Sequence, residues 1–107
     1  MKKNDLKAKT VKTKDLIGYN ESSVISRTII DKPSGTITAF SFDKGQGLSE
    51  HTSPYDATVQ ILDGEATLVI GGRDVRVGAG ELVIMPAHVP HAVRAEQRFK
   101  RLRIMIR

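Results

Sequence analysis

A chain of 107 residues fits one domain and is too short to divide into two cores. The absence of Cys excludes disulfides, thiolate metal ligands and a cysteine nucleophile, and an aromatic share of 5% without Trp leaves Val, Ile, Leu and Met to build the core. The formal net charge of +5 is gathered at the two ends, and no apolar run approaches the length of a membrane span.

Residues 1–15 form a basic amino-terminal arm, with Lys2, Lys3, Lys7, Lys9, Lys12 and Lys14 set around the apolar points Leu6, Ala8 and Val11. The arm reads either as a flexible segment or as a strand added to another surface. Met1-Lys2-Lys3 begins as a signal peptide would, but no apolar stretch follows, so a cytoplasmic location is expected. The folded domain is expected over 16–107.

Within it, the β-branched run Val24 to Ile30 reads as a strand, and Asp31-Lys32-Pro33-Ser34-Gly35 supplies turn chemistry. Thr36 to Phe42 sets Ile37, Ala39 and Ser41 against Thr38, Phe40 and Phe42 in strand-like alternation. Ala57 to Leu62 is the next strand, and Asp63-Gly64 predicts a two-residue hairpin into Glu65 to Ile70. Gly71-Gly72-Arg73-Asp74 then turns the chain into Val75 to Val77, and Gly78-Ala79-Gly80 turns it into Glu81 to Met85. His91 to Arg94 and Phe99 to Ile106 complete the set. In the last strand Leu102, Ile104 and Ile106 share one face, and Arg101, Arg103 and Arg107 the other. Many short strands without sustained helical periodicity predict a single all-β domain, a sandwich or barrel.

Val59 to Leu62, Leu68 to Ile70 and Leu82 to Met85 are apolar on both faces. A strand with one side in water alternates, so the outer side needs a cover: the arm or a second subunit. A homodimer is the simpler answer for so small a domain. Arg98, Lys100, Arg101, Arg103 and Arg107 crowd the carboxyl end and read, like the arm, as solvated termini or edge protection. A nucleic-acid footprint would need interleaved aromatics or a recognition motif, and neither is present.

All three histidines fall in two short segments, His51 before a strand and His88 and His91 after another. In the first, Gly45, His51 and Gly64 fit the register G-x5-H-x-H-x3-E-x6-G; in the second, Gly80, Pro86 and His91 fit G-x5-P-x-G-x2-H-x3-N. These segments resemble the two motifs of the small single-domain cupins. The resemblance implies a small jelly-roll β-barrel, often dimeric, holding a divalent metal on three His and one Glu inside the barrel.

The departures from those motifs bear on function. Ser53 stands at the second His position, Ala57 at the Glu position, His88 at the second motif's Gly and Ala95 at its Asn. His51 and His91 alone keep ligand positions, whereas catalytic zinc takes three protein ligands and non-haem iron two His and a carboxylate. Asp56 could assist only through a bulge, and His88 only by swinging in from its Pro-bracketed loop. The cofactor is then either one divalent transition metal (Zn, Fe, Mn or Ni) or none. The expected pocket holds His51, Ser53, Ala57, Val59 and His91. Its lining is otherwise expected to be aliphatic, with Phe40, Phe42 and Tyr55 as core or rim. Gly45 and Gly47 lead into a strand and read as turn glycines, and no nucleophile elbow is present. Three functional readings follow. One is a cupin that binds a small molecule at a degenerate metal site; the second is a metal-dependent dioxygenase, isomerase or decarboxylase using His51 and His91, with Asp56 or His88 assisting; the third, against the missing motifs, is a basic dimer that binds nucleic acid through its tails.

Overall fold

The computed structural model describes residues 6–107. The start of the basic arm, with Lys2 and Lys3, lies outside the described residues. Eight strands follow a single 3-10 turn at Thr13–Asp15: β1 (Val24–Lys32), β2 (Gly35–Phe42), β3 (Gly47–His51), β4 (Ala57–Ile70), β5 (Arg73–Gly78), β6 (Leu82–Met85), β7 (His91–Arg94) and β8 (Phe99–Ile106). All pairings are antiparallel. One sheet runs β1-β2-β8-β4-β6 and the other β3-β7-β4-β5, which makes the expected all-β jelly roll. Among the described residues no helix is long and apolar enough to cross a membrane.

β4 belongs to both sheets. Its first half pairs with β8 and β6, and its second half with β7 and β5. The hairpin expected at Asp63-Gly64 is therefore absent, and the chain passes through these residues as one strand of 14 residues. The reason is pairing: Asp63 and Gly64 stand opposite Lys100 and Phe99 of β8 across a register shift, so β8 takes the bonds a turn would have closed locally. Gly64 sits at φ +76°, and a Cβ there would meet the Arg98 carbonyl. The shift also exchanges faces. Ala57, Val59 and Ile61 point inward before it, and Ala66 and Leu68 after it. The true two-residue turn comes later, at Gly71 and Gly72, both at positive φ.

The inner core lies between the sheets, where Phe42 and Phe99 stack with centroids 4.6 Å apart among Val59, Ile61, Leu68 and Met85. A second, smaller cluster lies on the outside of the first sheet. There Leu16 and Ile17 pack on Ala39, with Leu6, Leu62 and Leu102 around them. The amino-terminal segment thus covers part of the apolar outer face. Tyr19 fastens it: its hydroxyl donates to Asp63 Oδ2 at 2.5 Å, and Arg98 and Lys100 lie over its ring. Lys100 also donates to the Lys14 carbonyl at 2.6 Å.

Gly64→Ala is expected to destabilise the fold by at least about 1–3 kcal/mol, from backbone strain and contact with β8. Gly72→Ala shares the positive φ but meets open space, and its cost is expected to be about 1 kcal/mol. Urea unfolding midpoints compare the two, and equal losses would remove the special role of the β4 bulge.

Candidate functional site

His91 opens β7 facing inward and is 4% exposed. His51 closes β3 opposite it, brought to the same side by a register shift that leaves Ser49 and Glu50 bulged. The two rings meet edge to face, centroids 4.3 Å apart. Each Nδ1 faces the carbonyl two residues earlier in its own chain: His51 to Ser49 at 2.7 Å and His91 to Val89 at 3.2 Å. A carbonyl only accepts, so each Nδ1 carries a proton, and in the neutral ring the Nε2 atom presents a lone pair.

The other expected pocket residues divide. Val59 and Ala57 are buried on the inward face of β4, opposite Arg103 and Met105 of β8. Ser53 lies half-buried with its hydroxyl 3.9 Å from Met105 Sδ, on the inner side of the wall. Asp56 does not turn inward: its Oδ1 accepts the Ala87 N–H at 2.8 Å and its side chain lines an outer groove. His88 is exposed at φ +65°, held through its backbone N–H to the Ser53 carbonyl at 2.8 Å. Tyr55 lies on the outer groove with Asp56, and Phe42 is core.

The aliphatic lining expected of the lumen is wrong in one decisive respect. β8 is turned the other way from a strand with solvated arginines: Arg101 and Arg103 point inward, and Leu102 and Ile104 outward. Arg101 is only 2% exposed. It stands between Phe40 and Ile61 in register, with its guanidinium carbon 4.8 Å from the Phe40 centroid and 5.4 Å from that of Phe42. Arg103 lies next along the strand, half-buried, 5.0 Å from the Phe40 centroid. Three arginine–aromatic contacts and the outer apolar cluster pull the strand to this facing. The available signal was the Phe40, Phe42 row on β2, which shares the arginines' face once β2 and β8 pair.

Electrostatics tie these groups together. Burial pushes the His91 pKa down, against the pull of its bond to Val89, and the positive charges of His51, Arg101 and Arg103 push it further. Burial, then Arg103, pushes the Arg101 pKa down to about 9, so the group is still charged at neutral pH. Among the described residues no three His, Asp or Glu side chains come together to hold an ion. Two imidazoles beside two guanidinium groups, with no carboxylate, do not fit a divalent cation: its charge would add to theirs.

The sequence profile of the Cupin domain family matches residues 39–105. Among solved structures, a conserved protein of unknown function from Streptococcus pyogenes is 36% identical, superposes with a TM-score of 0.91, and is matched over 97% of this chain and 91% of its own. A Cupin 2 conserved barrel domain protein from Leptotrichia buccalis is 38% identical with a TM-score of 0.85, over 88% of this chain and 46% of its own. A cupin superfamily protein from Desulfitobacterium hafniense is 29% identical with a TM-score of 0.89, over 97% of this chain and 95% of its own. The salicylate 1,2-dioxygenase of Pseudaminobacter salicylatoxidans shares the fold alone, at 16% identity and a TM-score of 0.72, over 78% of this chain and 26% of its own. No curated protein matches the sequence.

The depressed His91 pKa has a sign that can be measured. In the unfolded chain this imidazole titrates near about 6.5, and in the folded chain below it. Within that window the unfolded state binds more protons, so stability falls as pH drops through it and levels off once both states are protonated. His91→Gln is expected to flatten that slope in urea midpoints taken from about pH 7.5 to about pH 5. An unchanged slope would assign the acid sensitivity to another group.

Proposed function

The chain belongs to the cupin family, and from that premise we propose that it binds a small molecule in the lumen of its barrel, without a resident metal. The observation that carries this reading is the paired imidazoles, each tied by Nδ1–H to a backbone carbonyl and each left with an Nε2 acceptor. A neutral imidazole so held accepts a hydrogen bond from a hydroxyl or N–H on an occupant. Val59, Ala57 and Phe40 supply apolar wall, and Ser53 a neutral hydroxyl. The lining is that of a binding site: mostly apolar, with few convergent polar groups.

The same tautomers would also present Nε2 atoms to a metal, which supports the second reading of a metal-dependent enzyme. That reading needs a third ligand, and Asp56 is bonded to the Ala87 N–H on the outer groove while His88 stands exposed in its loop. Elemental analysis of untagged protein, after loading with Zn, Fe, Mn or Ni and gel filtration, separates the two. The expected result is a small fraction of one metal per chain, with nitrogen-15 spectra in which bound organic compounds move the His51 and His91 ring signals. One retained metal per chain, lost in His91→Ala, would replace this proposal with the enzyme.

We also propose that a second copy covers what the amino-terminal segment leaves bare. Leu82, Ile84 and Ile106 are 57%, 54% and 75% exposed, and Ile84, Ile104 and Ile106 line one groove with Tyr55. Among the described residues β6 pairs only with β4, which leaves its other edge beside this groove for a two-fold contact between identical sheets. Light scattering behind size exclusion is expected to give the dimer mass for the native chain and the monomer mass for Ile84→Glu. A monomeric native chain would refute the arrangement.

A further inference from the structure

Arg101 is the least explained residue of the barrel. Among the described residues its Nε and Nη1 atoms and the Nε of Arg103 are buried with no hydrogen-bond partner. No acid answers them: the ion pairs among the described residues are Arg76–Glu65, Arg94–Asp74 and Arg94–Glu96, all between exposed side chains. The rings of Phe40 and Phe42 offer a cation a face but accept no N–H in the plane of the guanidinium. A charge in this position opposes folding. A chain built for stability alone would place an aliphatic side chain there, as it does at Val59 and Ile61 directly across the sheet.

We infer that the lumen receives a small carboxylate-bearing molecule, held through its carboxylate by Arg101 and Arg103 and through a hydroxyl or N–H by the Nε2 atoms of His51 and His91. This rests on the proposal that the lumen is a ligand site and names the chemistry of its occupant. Each part of the site asks for it. Guanidinium groups donate in a planar fork that matches a carboxylate, and enclosure strengthens a charge-assisted bond of this kind. A neutral imidazole bonded through Nδ1–H accepts at Nε2, and in that form the pair would repel a second anionic oxygen and favour a donor. The occupant therefore carries its charge at the Arg end and a donor at the His end. The face of Phe40 lies behind both arginines and keeps their hydrogen-bonding edges free.

Phosphate shares the anion chemistry, so the test separates it. Nitrogen-15-labelled native protein is titrated with glycolate, malonate, benzoate, inorganic phosphate and the neutral glycolamide. The Arg101 and Arg103 Nε–H signals and the melting temperature are followed. At least one carboxylate is expected to move both arginine signals saturably and raise the melting temperature, with glycolamide at least about tenfold weaker. Arg103→Gln is expected to weaken that carboxylate by about tenfold or more. Arg101→Met is expected to abolish the response while melting, without ligand, no lower than the native chain. That last result separates lost recognition from lost folding.

Three outcomes would overturn the inference. Glycolamide binding as well as glycolate removes the anion and leaves the lumen as a ligand site. Phosphate acting alone replaces the carboxylate with another anion. If no probe of either charge moves the arginine or histidine signals, the inference and the ligand-site proposal fall together.

Discussion

A strand of 14 residues that pairs with β8 and β6 in its first half and with β7 and β5 in its second must reconcile two sheets, and β4 does so at a single register shift. Asp63 and Gly64 let the inward face pass from odd to even positions without the strand leaving its partners. One half of the strand then sets Val59 and Ile61 beside the arginines of β8, and the other half pairs with β7, which carries His91. The bulge also exposes Asp63 to Tyr19, which ties down the amino-terminal segment over the outer cluster. Inner lining and outer cover therefore hang on the same two residues.

The site that results sets two guanidinium groups against two imidazoles. His51 and His91 come from β3 and β7 of one sheet, His51 exposed and His91 buried, and Arg101 and Arg103 come from β8 of the other. Their mutual influence is visible at His91, whose charged form is disfavoured by both arginines. The cupin framework places histidines at this location, but what surrounds them here includes two inward-facing arginines and no carboxylate among the described residues. A shared fold supplies the position of a site, while its chemistry is set by the residues that face it.

Much of this was legible in the sequence, and the failures have physical causes. Turn glycines, β-branched runs and the spacing of Gly45, His51, Gly80, Pro86 and His91 gave the jelly roll and the meeting of two histidines. Asp63-Gly64 misled because its dipeptide chemistry suits a hairpin equally well as a bulge, and only the distant β8 decides between them. β3 escaped notice because Ser49 and Glu50 are polar, exposed and bulged away from its partner. The facing of β8 could not be settled by alternation alone. Both of its faces end up covered, one by aromatic rings and the other by the outer cluster, so the usual rule that charges point to water does not apply.

Unanswered hydrogen-bond positions inside a fold have a consequence beyond recognition. A molecule that satisfies Arg101 binds the native chain and finds no equivalent in the unfolded one, so its concentration enters the folding equilibrium directly. The native state then has two levels of persistence, a lower one when empty and a higher one when occupied. In a cell, where proteases sample unfolded chains, the steady amount of the protein would rise and fall with the supply of its guest. With an occupant of the proposed kind, abundance itself would follow its supply, through a single strand that turns its arginines inward.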